Sequence, residues 1–210
     1  MIVYKNTALG FRRDVENNTI TDLILQDFER TFGRGVAPNE KNAWRNSMNY
    51  MERVVRNSMI ADDCGILIEY TIPTTSKRID FLVSGHDTNG KENFVIIELK
   101  QWELAQDTDL SGTIKTVINR KEVYTTHPSY QAYSYQIFLS EYNEKVYSRE
   151  INPHSCAYLH NYKQKNPEPL LSSNYAEIVS ETPLFFRDDT EKLQNFIKRY
   201  VGEGKGEDIL

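Results

Sequence analysis

The stretch Phe94-Val95-Ile96-Ile97-Glu98-Leu99-Lys100 decides the fold, because an unbroken apolar run ends abruptly in two charged residues. Continuous apolarity over so short a segment predicts a strand that is buried on both faces of a sheet. Side chains alternate between the two faces of a strand, so Glu98 and Lys100 are expected to point the same way. The preceding apolar run carries Asp80, which can reach that face from a neighbouring strand. We therefore expect two carboxylates and one ammonium group to converge on one spot.

The rest of the chain surrounds this strand with regular elements. Helical spacing of apolar residues predicts helices over residues 19–32, 38–57 and 129–142, and a last helix after Asp188-Asp189-Thr190. Apolar or alternating runs predict strands over 65–72, 77–84, 94–100 and 155–162, and an edge strand broken by Pro183 within 176–186. The Asn89-Gly90 pair predicts a hairpin between the second and third strands. Residues 101–126 are polar and give no clear assignment.

This order of elements predicts an α/β protein. Three strands close in sequence suit an antiparallel meander, and the helix before the fourth strand allows a return to parallel pairing. We expect a central mixed sheet of four to five strands, flanked by helices in the order αβββαβ, with helical additions at both ends. Residues 1–36 are expected to form a helical extension on the core, 37–200 the main domain, and 201–210 a flexible tail or the start of a linker.

The composition limits the classes of function that are possible for this protein. The net charge of −5 provides no global basic field, so any contact with nucleic acid must use a local patch. Two distant cysteines, Cys64 and Cys156, argue against a disulfide scaffold and cannot hold a four-thiolate iron–sulfur cluster. The first residues lack the apolar region of a signal peptide, and no stretch is apolar enough for a membrane span. We expect a cytoplasmic protein with no membrane partner.

The charged residues also carry a resemblance. Asp80 followed by Glu98-Leu99-Lys100 resembles the motif of the PD-(D/E)xK nuclease superfamily, although Ile79 stands where the family has its proline. Gln131-Ala132-Tyr133-Ser134-Tyr135 resembles the Gln-hydrophobe-x-x-Tyr motif of the RecB-like branch of that superfamily. Gln131 and Tyr135 are four residues apart, so they share one face of a helix. The resemblance implies a restriction-endonuclease-like core.

A wider resemblance covers most of the chain. The segments 68–73, 75–81 and 97–102 are similar to the N-terminal nuclease-like region of large bacterial proteins in which a Schlafen-type P-loop DNA/RNA helicase domain follows. The Gly-x-x-x-x-Gly-Lys phosphate loop of such ATPases does not occur in this sequence. The resemblance therefore implies either the front piece of a longer helicase or ATPase, or a stand-alone relative of that piece.

The family implies a role for each residue of its motifs. Asp80, Glu98 and the backbone carbonyl of Leu99 would bind Mg²⁺ or Mn²⁺, which prefer hard oxygen ligands. Lys100 would orient the attacking water or offset charge on the phosphate. Gln131 and Tyr135 would hold the phosphate backbone or brace Lys100. The implied activity is metal-dependent hydrolysis of phosphodiester bonds. DNA is the favoured substrate, and RNA is the alternative.

Several further residues have two interpretations. Glu69 is either an extra metal ligand or a cross-strand partner of Lys77 or Arg78. For Glu40 and Glu52 a solvated helix face is favoured over a role as an added acid of the site. Side chains that could contact phosphates, although each basic one is more often simply solvated, are Lys77, Arg78, Lys115, Arg120, Lys121 and Gln131. Core packing is favoured over base stacking for Trp102, Tyr130 and Tyr133.

Other functions compete with a nuclease. The principal alternative is a catalytically inactive module of the same fold that binds nucleic acid or a partner protein. A sugar hydrolase acting through Glu69 and Glu98 has only the paired carboxylates in its favour. The spacing of His154, Cys156 and His160 matches no usual zinc pattern. The oligomeric state, the polarity of cleavage and the sequence preference are left open.

Overall fold

A computed structural model describes residues 2–72, 75 and 77–209, which form two sheets and seven α-helices. The strands are β1 (Ile2–Thr7), β2 (Gly65–Thr71), β3 (Arg78–His86), β4 (Glu92–Lys100), β5 (Ala105–Gln106), β6 (Thr113–Ile118), β7 (Lys121–Thr126), β8 (Asn152–Leu159) and β9 (Leu184–Phe186). The helices are α1 (Ala8–Glu16), α2 (Ile20–Phe32), α3 (Pro38–Asn57), α4 (Pro128–Tyr142), α5 (Glu144–Ser148), α6 (Ala176–Glu181) and α7 (Thr190–Val201). Two short 3₁₀ turns, Pro169–Leu171 and Ser173–Tyr175, precede α6.

The main sheet has six strands in the order β1-β2-β3-β4-β8-β9. The first four strands pair antiparallel, whereas β8 and β9 are added in parallel. The α/β class, the mixed sheet and the predicted meander are therefore confirmed. The expectation of four to five strands was too low, because β1 adds an edge strand that was not predicted.

Helices cover both faces of this sheet. Helices α1, α2, α3 and α7 pack on one face, where they enclose a core that includes Phe11, Met51 and Ile97. Helix α4 covers the other face, packing Tyr135 and Leu139 against strand residues such as Ile96. The central position of β4 explains its apolar run, since residues 93–98 are buried on both faces. Within the described residues, no helix is both long enough and apolar enough to cross a lipid bilayer.

The N-terminal segment contains a strand that the sequence analysis did not predict. Residues 2–7 form the antiparallel edge strand β1, which pairs with β2, and Thr7 then caps α1 by accepting a hydrogen bond from the backbone N–H of Gly10 at 3.1 Å. Adjacent Val3 and Tyr4 are both buried, so the segment lacks the alternation that marks a half-buried strand. The segment predicted as purely helical therefore also supplies one edge of the sheet.

Residues 101–126 form a second, three-stranded sheet of β5, β6 and β7. Strands β6 and β7 make a hairpin with a two-residue turn, Asn119-Arg120, in which both residues have positive φ angles (51° and 63°). That conformation defines the type I′ turn, which usually carries glycine at its second position. Because Arg120 stands there, the turn was not evident from the sequence.

Two C-terminal expectations are also corrected. The edge strand predicted within 176–186 is present, but only as the short strand β9 after Pro183, and the first part of this segment forms the helix α6. Residues 202–209, expected as a flexible tail or linker, pack along the sheet. The backbone N–H of His86 donates to the Gly204 carbonyl at 3.0 Å, and Ile209 is buried in the core under α4. Closely approaching glycines allow this packing, which composition alone does not indicate.

Candidate active site

The predicted charged residues meet where the start of β3 lies beside the end of β4. The antiparallel register pairs Phe81 with Ile97, which brings Asp80 alongside the Glu98-Leu99 peptide. The Asp80 carboxylate accepts a hydrogen bond from the backbone N–H of Leu99 at 2.8 Å. The Lys100 Nζ atom lies 2.6 Å from Glu98 Oε1. The two strands thus place two carboxylates and an ammonium group in one cluster.

Helix α4 adds two polar residues to this cluster. Lys100 Nζ donates to Gln131 Oε1 at 3.0 Å, and Gln131 Nε2 donates to the Tyr135 hydroxyl at 2.8 Å. The one-turn spacing of Gln131 and Tyr135 places both on the helix face that packs against β4. Pro128 lies in the first turn, where its missing N–H costs nothing, and the His127 side chain accepts a hydrogen bond from the Ser129 N–H. The five residues Asp80, Glu98, Lys100, Gln131 and Tyr135 are therefore contiguous.

When both of its carboxyl groups are ionised, the cluster holds more negative charge than its single lysine can balance. Burial, and then the charge of Asp80, raises the pKa of Glu98 to about 8. Burial also raises the pKa of Asp80, although the Lys100 charge partly opposes this shift. Burial would lower the pKa of Lys100, but the charges of Glu98 and Asp80 outweigh it and raise that pKa. The Oε2 atom of Glu98 is buried and receives no hydrogen bond from a described donor.

Glu69 joins the same region through an unusual backbone. It lies inside β2 with φ of 53°, a left-handed conformation that non-glycine residues seldom adopt within a strand. The face alternation of β2 breaks at this point: Ile66 and Ile68 pack on one face of the sheet, whereas Tyr70 and Ile72 pack on the other. Strained residues of this kind concentrate at functional sites.

The strained backbone directs the Glu69 carboxylate into an ion-pair network. It accepts a hydrogen bond from Trp44 Nε1 at 2.7 Å and pairs with Arg78 at 2.8 Å. Arg78 also pairs with Glu40 at 2.9 Å. Burial, followed by the charge of Asp80, raises the pKa of Glu69 to about 7. The structure therefore pairs Glu69 with Arg78, one of the two partners considered from the sequence.

These groups line an open cleft of about 630 Å³. It is lined by Asp80, Leu99 and Lys100, by residues of the first half of α3, and by residues 117–119 at the tip of the β6–β7 hairpin. In and beside the cleft the acidic residues are Glu40, Glu69, Asp80 and Glu98, whereas the basic ones are Arg78 and Lys100. When all are ionised, this excess of carboxylates would repel an anionic ligand unless a cation were bound.

The donor set suits a magnesium-like ion only in part. Within residues 2–72, 75 and 77–209, no group of three or more His, Cys, Asp or Glu side chains is arranged to hold a metal. Mg²⁺, however, is commonly bound by one or two carboxylates, with water and substrate phosphate filling the remaining positions. Asp80 and Glu98 supply two carboxylates, and Glu98 Oε2 has no donor to satisfy it. The residues present therefore fit an ion that the substrate helps to hold.

The other candidate residues lie in varied places. Lys77 is exposed, with its ammonium 6.0 Å from the ring centroids of Tyr135 and Phe138, and Lys115 pairs with Glu122 on the hairpin. Arg120 and Lys121 are exposed at the hairpin turn, next to residues 117–119, which line the cleft. The expectation of a solvated Glu52 was wrong, because this residue is buried and pairs with Arg56.

The aromatic and histidine candidates lie mainly in packed environments. Trp102 is buried, as expected of a core residue, and Tyr130 and Tyr133 pack partly buried beside it. Lys100 Nζ nevertheless lies 5.6 Å from the Trp102 ring centroid, so this side chain also contacts the cluster. Buried His160 stacks on Tyr50, and partly buried His154 stacks on Tyr200. These environments account for both histidines by packing.

One polar chain beside the cleft was not identified from the sequence. Gln101 Nε2 donates to the Ala43 carbonyl at 2.8 Å and to Ser47 Oγ at 3.1 Å, and Ser47 Oγ lies 3.1 Å from His160 Nε2. This chain ties the residue after Lys100 to helix α3. The only signal in the sequence was the position of Gln101 directly after the charged motif.

Comparison of the chain with protein-family models, curated proteins and solved structures finds no match.

Proposed function

We propose that this protein is a metal-dependent nuclease that hydrolyses phosphodiester bonds of DNA, and RNA as a second choice. The observation that carries the proposal is the contact of Lys100 with both Glu98 (2.6 Å) and Gln131 (3.0 Å), beside an Asp80 carboxylate anchored on Leu99. Two motifs separated by thirty residues of sequence thus meet at one ammonium group. A surface ion pair would not require the second motif.

The fold supports the same proposal. The sequence of elements α3, β2, β3, β4, α4 and β8 reproduces the αβββαβ order of a restriction-endonuclease-like core, with β8 added parallel to β4. We propose that the chain has this fold, and that it acts beside a helicase or ATPase partner or domain. The N-terminal strand and the second sheet would be additions to that core.

The chain's own residues can perform distinct parts of the reaction. When bound, Mg²⁺ or Mn²⁺ would polarise the phosphate and lower the pKa of a coordinated water. Asp80 and Glu98 would hold that ion, together with the carbonyl of Leu99. Lys100, released from Glu98, would orient the attacking water or stabilise charge on the phosphate. Gln131, held by Tyr135, would keep the ammonium in place.

Glu69 has a supporting role in this proposal. Trp44 and Arg78 hold its carboxylate, and burial, followed by the charge of Asp80 on the neighbouring strand, raises its pKa. A substrate phosphate would compete for Arg78 and free Glu69 to approach the ion. Glu69 would then be an additional ligand in the substrate complex only.

A second candidate function is a catalytically inactive module of this fold that binds nucleic acid or a partner protein. The arrangement that favours it is the direct ion pair between Lys100 and Glu98, together with the lack of a three-acid metal group in the described part of the chain. Such a module would use Lys100 and Arg78 for binding alone. Activity assays separate the two functions.

The test is cleavage of single-stranded, linear duplex and plasmid DNA, and of RNA, with Mg²⁺ or Mn²⁺. The nuclease proposal expects cleavage that is abolished by chelator, by Asp80→Ala and by Lys100→Ala. The matched control is Lys91→Ala, which removes an exposed lysine just before the start of β4, whereas Lys100 lies at its end. This variant should leave the rate of cleavage unchanged. Cleavage that survives in the Asp80 and Lys100 variants, or no cleavage of any substrate, would contradict the proposal.

A further inference from the structure

The β6–β7 hairpin exposes an unusual share of apolar surface. Val117, Ile118 and Tyr124 are 40%, 42% and 64% exposed, and Leu104 and Leu110 of the flanking segments exceed 50%. Isolated exposed apolar residues need no explanation, but a concentration of them marks an interaction surface. We call residues 117–121 together with Tyr124 the hairpin tip.

The exposure is not a consequence of a loosely held hairpin. Its base is anchored in the core, where Ile114 is fully buried beside Trp102 and Tyr162. The Thr116 hydroxyl donates to the Leu104 carbonyl at 2.6 Å, and the Tyr175 hydroxyl donates to the Thr113 carbonyl at 2.6 Å. A fixed base therefore presents the apolar tip in a defined position.

The chain places this tip at the candidate site. The second sheet is inserted between Lys100, the last residue of β4, and α4, which carries Gln131 and Tyr135. As a result Val117, Ile118 and Asn119 line the same cleft as Asp80 and Lys100. Val117 and Tyr124 lie on the same face of the hairpin, because Val117 is two residues from Lys115, the cross-strand partner of Tyr124. The ion pair of Lys115 with Glu122 lies on that face as well, so the exposed surface combines apolar and charged side chains.

The charge at the turn defines the kind of ligand. Arg120 and Lys121 are exposed at the tip, next to the exposed apolar side chains. Cationic groups beside an apolar surface suit a nucleic-acid strand, because its phosphates contact the cations while the unpaired bases pack against apolar side chains. A double helix has its base faces covered by stacking, so it could not use the apolar part.

We propose that the hairpin tip is a binding surface for a single strand of nucleic acid, whose bases contact Val117 and Ile118 while its backbone reaches Lys100. This inference rests on the proposed nuclease function and adds the substrate class. Both α3 and the hairpin tip line the cleft, so a strand bound there would contact both elements. The hairpin therefore selects unpaired segments or open ends over intact duplex.

The test measures binding of a fluorescein-labelled oligothymidine, and of a duplex of equal length, by fluorescence anisotropy with Ca²⁺ replacing Mg²⁺. The double variant Val117→Ser/Ile118→Ser is expected to bind the single strand roughly tenfold more weakly, with duplex binding unchanged. The matched control is Leu171→Ser, whose side chain is equally exposed at 41% but lies away from the cleft. Equal affinity of the double variant and the wild type for the single strand would overturn the inference.

A second pair of variants guards against a folding defect of the double variant. Tyr124→Ala should weaken single-strand binding severalfold, whereas Tyr142→Ala, at a comparable exposure of 62%, should not. Cleavage with unaltered strand preference in the hairpin variants would overturn this inference and leave the nuclease proposal standing. Hairpin-dependent binding without cleavage of any substrate would support this inference and refute the proposed catalysis.

Discussion

The two ends of the β3–β4 strand pair are built on opposite principles. At one end, Ser84 Oγ donates to the Gly206 carbonyl at 2.8 Å, and the His86 backbone N–H donates to the Gly204 carbonyl, so uncharged groups of the C-terminal segment seal the sheet. At the other end, Asp80 and Glu98 share one lysine and Glu98 Oε2 has no donor. The first end satisfies its polar groups, whereas the second has unbalanced charge once Glu98 is ionised.

This difference indicates where stability and function reside. Buried polar groups stabilise a fold only when they are hydrogen-bonded, and an uncompensated buried charge destabilises it. The sealed end should therefore tolerate little change. Neutralising a carboxylate at the charged end should raise the free energy of unfolding and lower the rate of cleavage. Substitutions at the two ends test this contrast through their effects on stability and cleavage.

The largest effect is expected for Lys100→Met. Loss of the ammonium leaves Asp80 and Glu98 unopposed, so cleavage should fall about a thousandfold. The free energy of unfolding of the metal-free protein at pH 8.5 should fall by roughly 3–5 kcal/mol in urea denaturation. Lys91→Met, just outside the sealed end, should stay within about 0.5 kcal/mol of wild type. Similar stability of the two variants would remove the contrast between the ends.

A substitution at the sealed end should affect stability alone. A Cβ atom on Gly85 would lie 2.5 Å from the Val201 carbonyl oxygen, so Gly85→Ala should lower the free energy of unfolding by about 1–3 kcal/mol. Gly35→Ala, where the nearest atom is 3.8 Å away, is the matched control and should be nearly neutral. Per folded molecule, cleavage by both should equal wild type. A selective loss of activity in Gly85→Ala would show that the two ends are coupled.

Neutralising one residue at each end should shift stability in opposite directions. Glu98→Gln leaves Asp80 and Lys100 as a balanced pair, so the metal-free protein should gain about 1 kcal/mol above pH 8 while losing cleavage. Ser84→Ala removes a buried hydrogen bond and should lose about 1 kcal/mol with cleavage retained. Urea denaturation at pH 8.5 gives both values. Destabilisation by Glu98→Gln would contradict the charge imbalance.

The same imbalance makes stability depend on pH. The folded-state pKa of Glu98, about 8, exceeds its usual 4.5, so the unbound protein should lose stability as pH rises through this interval. A bound cation must displace the Glu98 proton below pH 8, and Mg²⁺ should therefore raise the melting temperature more at pH 8.5 than at pH 6. Thermal denaturation with Mg²⁺ or chelator measures this. An equal shift at both pH values would place the ion elsewhere.

The elements with strong local patterns were predictable from the sequence. Helix α3 begins and ends where its N-terminal proline and its periodicity predict, at Pro38 and Asn57, and the apolar run of β4 correctly indicated a central strand. The approach of Asp80, Glu98 and Lys100 followed from strand alternation and the hairpin at Asn89-Gly90. Gln131 was added to this set by its resemblance to the Gln-hydrophobe-x-x-Tyr motif, and helical spacing placed Tyr135 on the same face.

The remainder depended on tertiary contacts that leave little local pattern. Glu69 combines a left-handed backbone with contacts to Trp44 and Arg78, and nothing in the local sequence around it indicates either feature. Strand β1 is stabilised by pairing with β2, and the Asn119-Arg120 turn lacks the usual glycine. The packing of residues 202–209 depends on close approach between backbone segments, which the amino-acid composition does not indicate.

The most direct test of the central claim is the anomalous diffraction of Mn²⁺ in crystals of the protein. The account predicts one peak within roughly 2.5 Å of carboxylate oxygens of both Asp80 and Glu98, with Lys100 turned from Glu98 toward Gln131. The peak should disappear in crystals of Glu98→Gln. A peak that contacts neither carboxylate, or no peak while Lys100 keeps its contact with Glu98, would contradict the account.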